Sequence, residues 1–267
     1  MLTDAHCHPF DLSVLFPQME QERRRLEVFA AASAYSLEEF THNEKLAQEA
    51  TNGKAAQLLL CFGVHPQLPA VKNDDLNDSL ETLHNLAAAR KIAAVGECGF
   101  DLYNDVFRET EKTQDDLFAA QLEIAVNYGL PVVIHARRAM HKFFSLSKNL
   151  AKCRAVVFHS WPFPFEEGQA LLRRGVNAYF SFGNVILNGH KQSVRSLSLF
   201  TADRLLTETD APFQPRRGEK FSAWADLPLI LKTAANIRGE NTEALECQIE
   251  ANFREVFTEN HTNPANF

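Results

Sequence analysis

Near-continuous apolar runs recur along the chain at residues 2–8, 27–33, 57–64, 92–99, 130–136, 155–160, 177–182 and 205–210, with amphipathic stretches between them. Runs such as Pro131-Val132-Val133-Ile134 and Ala155-Val156-Val157-Phe158 do not alternate between apolar and polar residues. A parallel strand covered on both faces needs that pattern, and each run predicts such a strand. The amphipathic stretches carry helix punctuation. Ser36 stands three residues before Glu39, a capping-box spacing that predicts a helix running to about Thr51, and Thr113 with Asp116 predicts a second start. Gly129 and Pro131 end a long helix after Tyr128, and Gly175 ends another after Arg174. Two terminal helices are predicted near 226–239 and 242–258.

Eight strand–helix alternations in 267 residues favour an α/β fold of the (β/α)8 TIM-barrel type in one domain, residues 1–267, over an open doubly wound sheet. No Pro-, Gly- or Ser-rich linker, internal repeat or low-complexity tract interrupts the chain. A hydrophobic fraction of 45% and a charged fraction of 23% are those of a globular protein. The net charge of −7 argues against a broad basic coat for nucleic acid, but permits a local basic rim. Candidates are Arg137 with Arg138, and Arg216 and Arg217 with Lys220, whereas Arg173 and Arg174 read as solvated surface. Five cysteines without CxxC spacing, several inside apolar runs, predict free thiols in a reducing compartment. The first residues lack a secretory signal and no apolar run reaches bilayer length, so a cytoplasmic location without membrane contact is expected.

Chemistry concentrates at the strand ends. His6 and His8, two apart, fall on one side of the first strand, with Cys7 on the other. His135 closes the run 132–134 and His159 the run 156–158, so four imidazoles converge on one barrel mouth. Glu97 and Asp210 end two further runs, where a carboxylate is costly unless paired or coordinated. A buried salt bridge for Glu97 and a turn before Pro212 for Asp210 are the plainer readings. Four histidines and two carboxylates exceed one tetrahedral zinc and suit two ions sharing a carboxylate. The mixture favours zinc, manganese or iron over calcium, with magnesium also open. His65, in Gly63-Val64-His65-Pro66, ends the third strand and faces substrate or forms a turn. The sequence has no G-x-S-x-G elbow, P-loop, G-x-G-x-x-G or H-E-x-x-H motif.

Along nearly its whole length the chain resembles the TatD-type metal-dependent DNases, of the wider amidohydrolase-like barrel superfamily. The matching pieces are Asp4-Ala5-His6-Cys7-His8, Gly63-Val64-His65-Pro66, Gly96-Glu97-Cys98-Gly99-Phe100-Asp101, the helix with Gln114, Phe118 and Gln121, Leu130-Pro131-Val132-Val133-Ile134-His135-Ala136-Arg137, and Glu208-Thr209-Asp210-Ala211-Pro212-Phe213. The resemblance implies one ion on His6, His8, Glu97 and Asp210 and another on Glu97, His135 and His159, with Glu97 shared. It departs in two segments, 160–164 (Ser160-Trp161-Pro162-Phe163-Pro164) and 214–224, and Arg138 replaces a common acidic residue.

The expected activity is hydrolysis of DNA phosphodiesters by metal-activated water, with Asp210 as general base, Glu97 bridging, and His65 with Arg137 holding the phosphate. Trp161 or Phe163 is expected to stack on a base. Two divalent ions (zinc, manganese or magnesium) are the expected cofactors and DNA the expected partner, for a monomer with no stable protein partner. Two rival readings are a metal-dependent hydrolase of a small ester, lactone or amide, and a metal-binding barrel without turnover.

Overall fold

The computed structural model describes residues 1–50, 57–71 and 76–258. Eight parallel strands follow one another around a single sheet in chain order: β1 (Thr3–Cys7), β2 (Phe29–Ala32), β3 (Leu58–Phe62), β4 (Ala94–Asp101), β5 (Val132–Arg137), β6 (Val156–Phe158), β7 (Ala178–Phe182) and β8 (Leu205–Thr207). The ring closes where β8 returns to β1. There Thr207 Oγ1 donates to the Thr3 carbonyl at 3.0 Å, the Asp210 amide to the His6 carbonyl at 2.9 Å, and the His8 amide to the Ala211 carbonyl at 2.7 Å. This is the (β/α)8 barrel that the apolar runs predict.

Each strand divides its residues between two cores. The interior core takes Ala5, Ala31, Cys61, Ala94, Val133, Val157, Tyr179 and Leu206, at least one from every strand, and Phe253, Val256 and Phe257 of the final helix (Thr242–Phe257) pack against it. The outer core joins Val132, Ile134, Val156, Phe158, Phe180 and Leu205 to the surrounding helices. It is rich in aromatic rings: Phe180 stacks on Phe200 with centroids 3.9 Å apart, and Trp161 lies edge-on to Phe180 at 4.7 Å. Edge-on pairs such as Trp161 with Phe180 add about 0.5–1.5 kcal/mol each beyond the area they bury.

Two strands break register. In β1 the pairing with β2 shifts between Asp4 and Cys7, and in β4 the pairing with β5 shifts between Val95 and Cys98. As a result Ala5 and His6, adjacent in sequence, both serve the interior, and so do Ala94 and Glu97, three apart. Irregularities of this kind re-aim side chains near active sites. At Gly99, with φ of 137°, an added Cβ would lie 2.2 Å from the His135 carbonyl oxygen, so only glycine lets β4 approach β5 there.

Helix signals fare unevenly. Glu39 donates its amide to Ser36 Oγ at 3.3 Å at the start of the helix Leu37–Ala50, although its carboxylate takes the Tyr35 amide. Thr51, where the sequence reading ends this helix, lies outside the described residues. Gly129 sits left-handed at φ 64° directly after Tyr128, and Gly175 at φ 81° after Arg174. The Thr113 start is wrong: the helix runs Glu111–Tyr128, because the short helix Asp105–Arg108 leads into it through Thr110. No helix among the described residues is long and apolar enough to cross a membrane.

Candidate metal centre

At the C-terminal mouth of the barrel, Glu97 stands between two sets of imidazoles. Its Oε2 faces His6 Nε2 at 3.2 Å and His8 Nε2 at 3.6 Å, while its Oε1 faces His135 Nδ1 at 2.6 Å, His159 Nε2 at 2.7 Å and His65 Nε2 at 3.4 Å. Asp210 completes the first set, with Oδ1 at 3.5 Å from His6 Nε2 and 3.6 Å from His8 Nε2. All six residues proposed from the strand ends meet here, each at most 8% exposed. Three trios have donor atoms mutually within 4.8 Å: His6, His8 and Glu97; His6, His159 and Asp210; and His65, Glu97 and His135. Nitrogen and carboxylate oxygen in this ratio fit divalent transition metals, so the cluster can hold metal ions.

Charge in the cluster is arranged as ion pairs. Burial disfavours the imidazolium of His8, but its contacts with Asp210 and Glu97 outweigh that and raise its pKa to about 10. His159 and His135 are raised in the same way against burial, by Glu97 with Glu208 and by Asp101 with Glu97 respectively. Burial alone would raise Glu97, yet the surrounding imidazoles hold it well below the carboxylate range. His65 is shifted down, burial prevailing over its attraction to Glu97.

A ring of outer partners fixes these side chains, and sequence reasoning did not assign it. Asp101 Oδ2 contacts His135 Nε2 at 3.0 Å and accepts from Gln67 Nε2 at 2.7 Å; burial opposes its charge, but these bonds hold its pKa down to about 2. His6 Nδ1 meets Ser33 Oγ at 3.1 Å. Asp4 accepts from Thr209 Oγ1 at 2.6 Å, from the Thr209 amide at 3.0 Å and from the His6 amide at 3.2 Å, and burial raises its pKa to about 7. Glu208, fully buried, faces His159 Nδ1 at 3.6 Å, an ion-pair contact too long for a hydrogen bond. The available signal was strand alternation for two of them: Glu208 precedes Asp210 by two residues and Asp101 follows Glu97 by four, whereas the shift in β1 breaks the alternation between Asp4 and His6.

Asp210 itself is left-handed at φ 53°, and its outer oxygen, Oδ2, accepts from Gln214 Nε2 at 2.7 Å; Gln214 Oε1 in turn accepts from Ser160 Oγ at 2.7 Å. The two segments that depart from the family pattern, 160–164 and 214–224, are therefore joined at Gln214, beside this carboxylate.

Of the residues expected to touch substrate, His65 lies at the rim, its side chain 18% exposed, within reach of Glu97. Arg137, 42% exposed, reaches Asp101 Oδ2 at 3.5 Å. Trp161 is a correction. It is 0% exposed and packs among Phe158, Phe163, Phe180 and Phe200, because the chain turns at Ser160 (φ 47°) and sends the indole into the outer core. Phe163 is partly buried against the same core.

The TatD related DNase family matches residues 3–258. The chain belongs to that family. It is 32% identical over 266 residues to the 3'-5' ssDNA/RNA exonuclease TatD of Klebsiella pneumoniae, with 93% of this chain and 97% of that protein covered. The Cronobacter sakazakii protein of the same name is 30% identical over 263 residues, at the same coverages. A crystal structure of a TatD homologue from Escherichia coli K12 superposes with a TM-score of 0.84 at 24% identity, covering 97% of this chain and 98% of that one, a likeness of fold. As a TatD-related DNase the protein is a hydrolase of phosphodiester bonds.

Proposed function

We propose that the protein is a two-metal nuclease removing nucleotides from single-stranded DNA or RNA, the activity that the names of its bacterial relatives state. The observation that carries this reading is the position of Glu97, whose two oxygens each address a different set of imidazoles. His6, His8 and Asp210 would hold one ion and His135 and His159 the other, with Glu97 common to both. The donor set suits zinc or manganese better than magnesium. When bound, divalent ions polarise phosphoryl oxygens and lower the pKa of coordinated water from 15.7 to roughly 7.

The remaining roles fall to the chain. Asp210, whose Oδ1 is turned toward His6 and His8 and whose Oδ2 is held by Gln214, accepts the proton of the attacking water. His65 and Arg137 bind the non-bridging oxygens of the phosphate from the rim. Asp101 keeps His135 in the tautomer that presents Nδ1 inward, by accepting a hydrogen bond from its Nε2–H. All of these residues come from one chain, so a monomer suffices. The five cysteines are all free, four of them buried, which fits the reducing cytoplasm.

The test is degradation of 3'-labelled single-stranded DNA by protein stripped of metal and reloaded with zinc, manganese or magnesium. Activity should return with metal and be lost in His135→Ala, with the circular dichroism of the fold retained. Full activity in that variant, or equal activity without metal, refutes the proposal.

A further inference from the structure

At the end of β5, two guanidinium groups are gathered on one ring. Arg137 Cζ lies 4.1 Å and Arg138 Cζ 4.6 Å from the centroid of Tyr103, a residue 46% exposed. Arg138 is fastened by a bond from its NH1 to the Tyr103 carbonyl at 3.0 Å, and its backbone is left-handed at φ 55°. Two like charges side by side repel, and an exposed cation–π contact returns only about 0.5–1 kcal/mol. Among the described residues, no carboxylate lies within ion-pair distance of Arg138, whereas Arg137 reaches Asp101 at 3.5 Å. In a chain of net charge −7, this fork stands ready for an external anion.

The fork is connected to the metal centre. Arg137 contacts Asp101, Asp101 contacts His135, and His135 contacts Glu97, at 3.5, 3.0 and 2.6 Å respectively. An anion on Arg138 is thus a neighbour of the reacting phosphate and not that phosphate itself, which His65 and Arg137 receive. A ligand with phosphates in series satisfies both places, and a small diester satisfies one. We infer that Arg138, held on the ring and carbonyl of Tyr103 beside Arg137, forms a subsite for the phosphate next to the cleaved bond, which selects polynucleotide strands over small phosphodiesters. The inference rests on the nuclease reading above and adds a binding residue, Arg138, to it.

The experiment has two arms. Binding of a fluorescein-labelled single-stranded oligodeoxynucleotide to metal-free protein is followed by anisotropy over a range of salt. Turnover of the same oligonucleotide and of bis(p-nitrophenyl) phosphate is compared on manganese-loaded protein. Loss of one phosphate contact lowers the slope of log K against log salt by about 0.7 for a single strand, and that reduction is expected in Arg138→Ala. The ratio of kcat/KM on the oligonucleotide to that on bis(p-nitrophenyl) phosphate should fall several-fold, through KM, and Arg138→Lys should recover most of the slope. An unchanged slope, or an equal loss on both substrates, overturns the subsite and leaves the nuclease reading standing. Wild-type protein that turns over neither substrate overturns that reading, and the subsite with it.

Discussion

Replacing Glu97 by glutamine tests the centre at its narrowest point, because shape is kept while one negative charge and one ligating oxygen are removed. Both carboxylate oxygens are in use: Oε1 at 2.6 and 2.7 Å from His135 and His159, Oε2 at 3.2 and 3.6 Å from His6 and His8. An amide presents its oxygen to one side only and turns an NH2, which is no ligand, to the other. The side of His6 and His8 keeps Asp210 and so retains three protein donors, enough for one ion with water. The side of His135 and His159 keeps two, below the three of ordinary catalytic sites. Metal content of the dialysed protein, measured by inductively coupled plasma mass spectrometry, should fall from two ions per chain toward one. The stabilisation lost with the second ion is several kcal/mol; taking about 4 kcal/mol, single-strand degradation slows roughly a thousandfold. A glutamine variant that holds two ions and degrades single strands within tenfold of wild type would refute the bridging argument.

Three further outcomes follow from the geometry. Asp101→Asn should weaken metal binding or activity by about 10- to 100-fold, read by isothermal titration, because His135 loses the acceptor that fixes its tautomer. Trp161→Ala should destabilise the fold by about 3–5 kcal/mol, read as a lowered Tm, with no rise in KM for single-stranded DNA; a raised KM at unchanged Tm would return the indole to the substrate. Metal loading at neutral pH should release protons, since the pKa of His8, about 10 in the metal-free protein, keeps it charged and only neutral imidazole binds metal. Affinity therefore rises with pH toward that value, and calorimetry in buffers of different ionisation heat counts the protons. In the metal-free protein the same pairing stabilises the fold fully below 6.5, the ordinary histidine value, and this contribution is lost as pH climbs through about 10.

The eight strands were legible because a strand covered on both faces must be apolar throughout, and a short β-branched run such as Val132-Val133-Ile134, preceded by Gly129 and Pro131, favours that use over a buried helix. The six donors were legible because they interrupt that pattern at its ends. What the pattern cannot carry is register. Counting by twos from Ala94 turns Glu97 outward, and only the shift between Val95 and Cys98 brings it in. Trp161 failed for a related reason: its position after His159 suggests the mouth, but the left-handed turn at Ser160 redirects it. Asp101 and Glu208 lay within reach of the alternation rule, as polar residues in phase with a ligand. The join between Ser160 and Gln214, 54 positions apart, has no trace in local sequence.

The seam between β8 and β1 has a consequence for when the enzyme becomes competent. His6 and Asp210 are locked together there through the bond from the Asp210 amide to the His6 carbonyl. One half of the centre is made by the ribosome almost at once and must wait until more than two hundred further residues have emerged. On the two-metal proposal, early fragments of the chain hold histidines but lack Asp210, and hydrolytic power is expected only with ring closure. Any event that parts the first strand from the last, whether proteolysis or heat, should silence the enzyme before the other strands come apart.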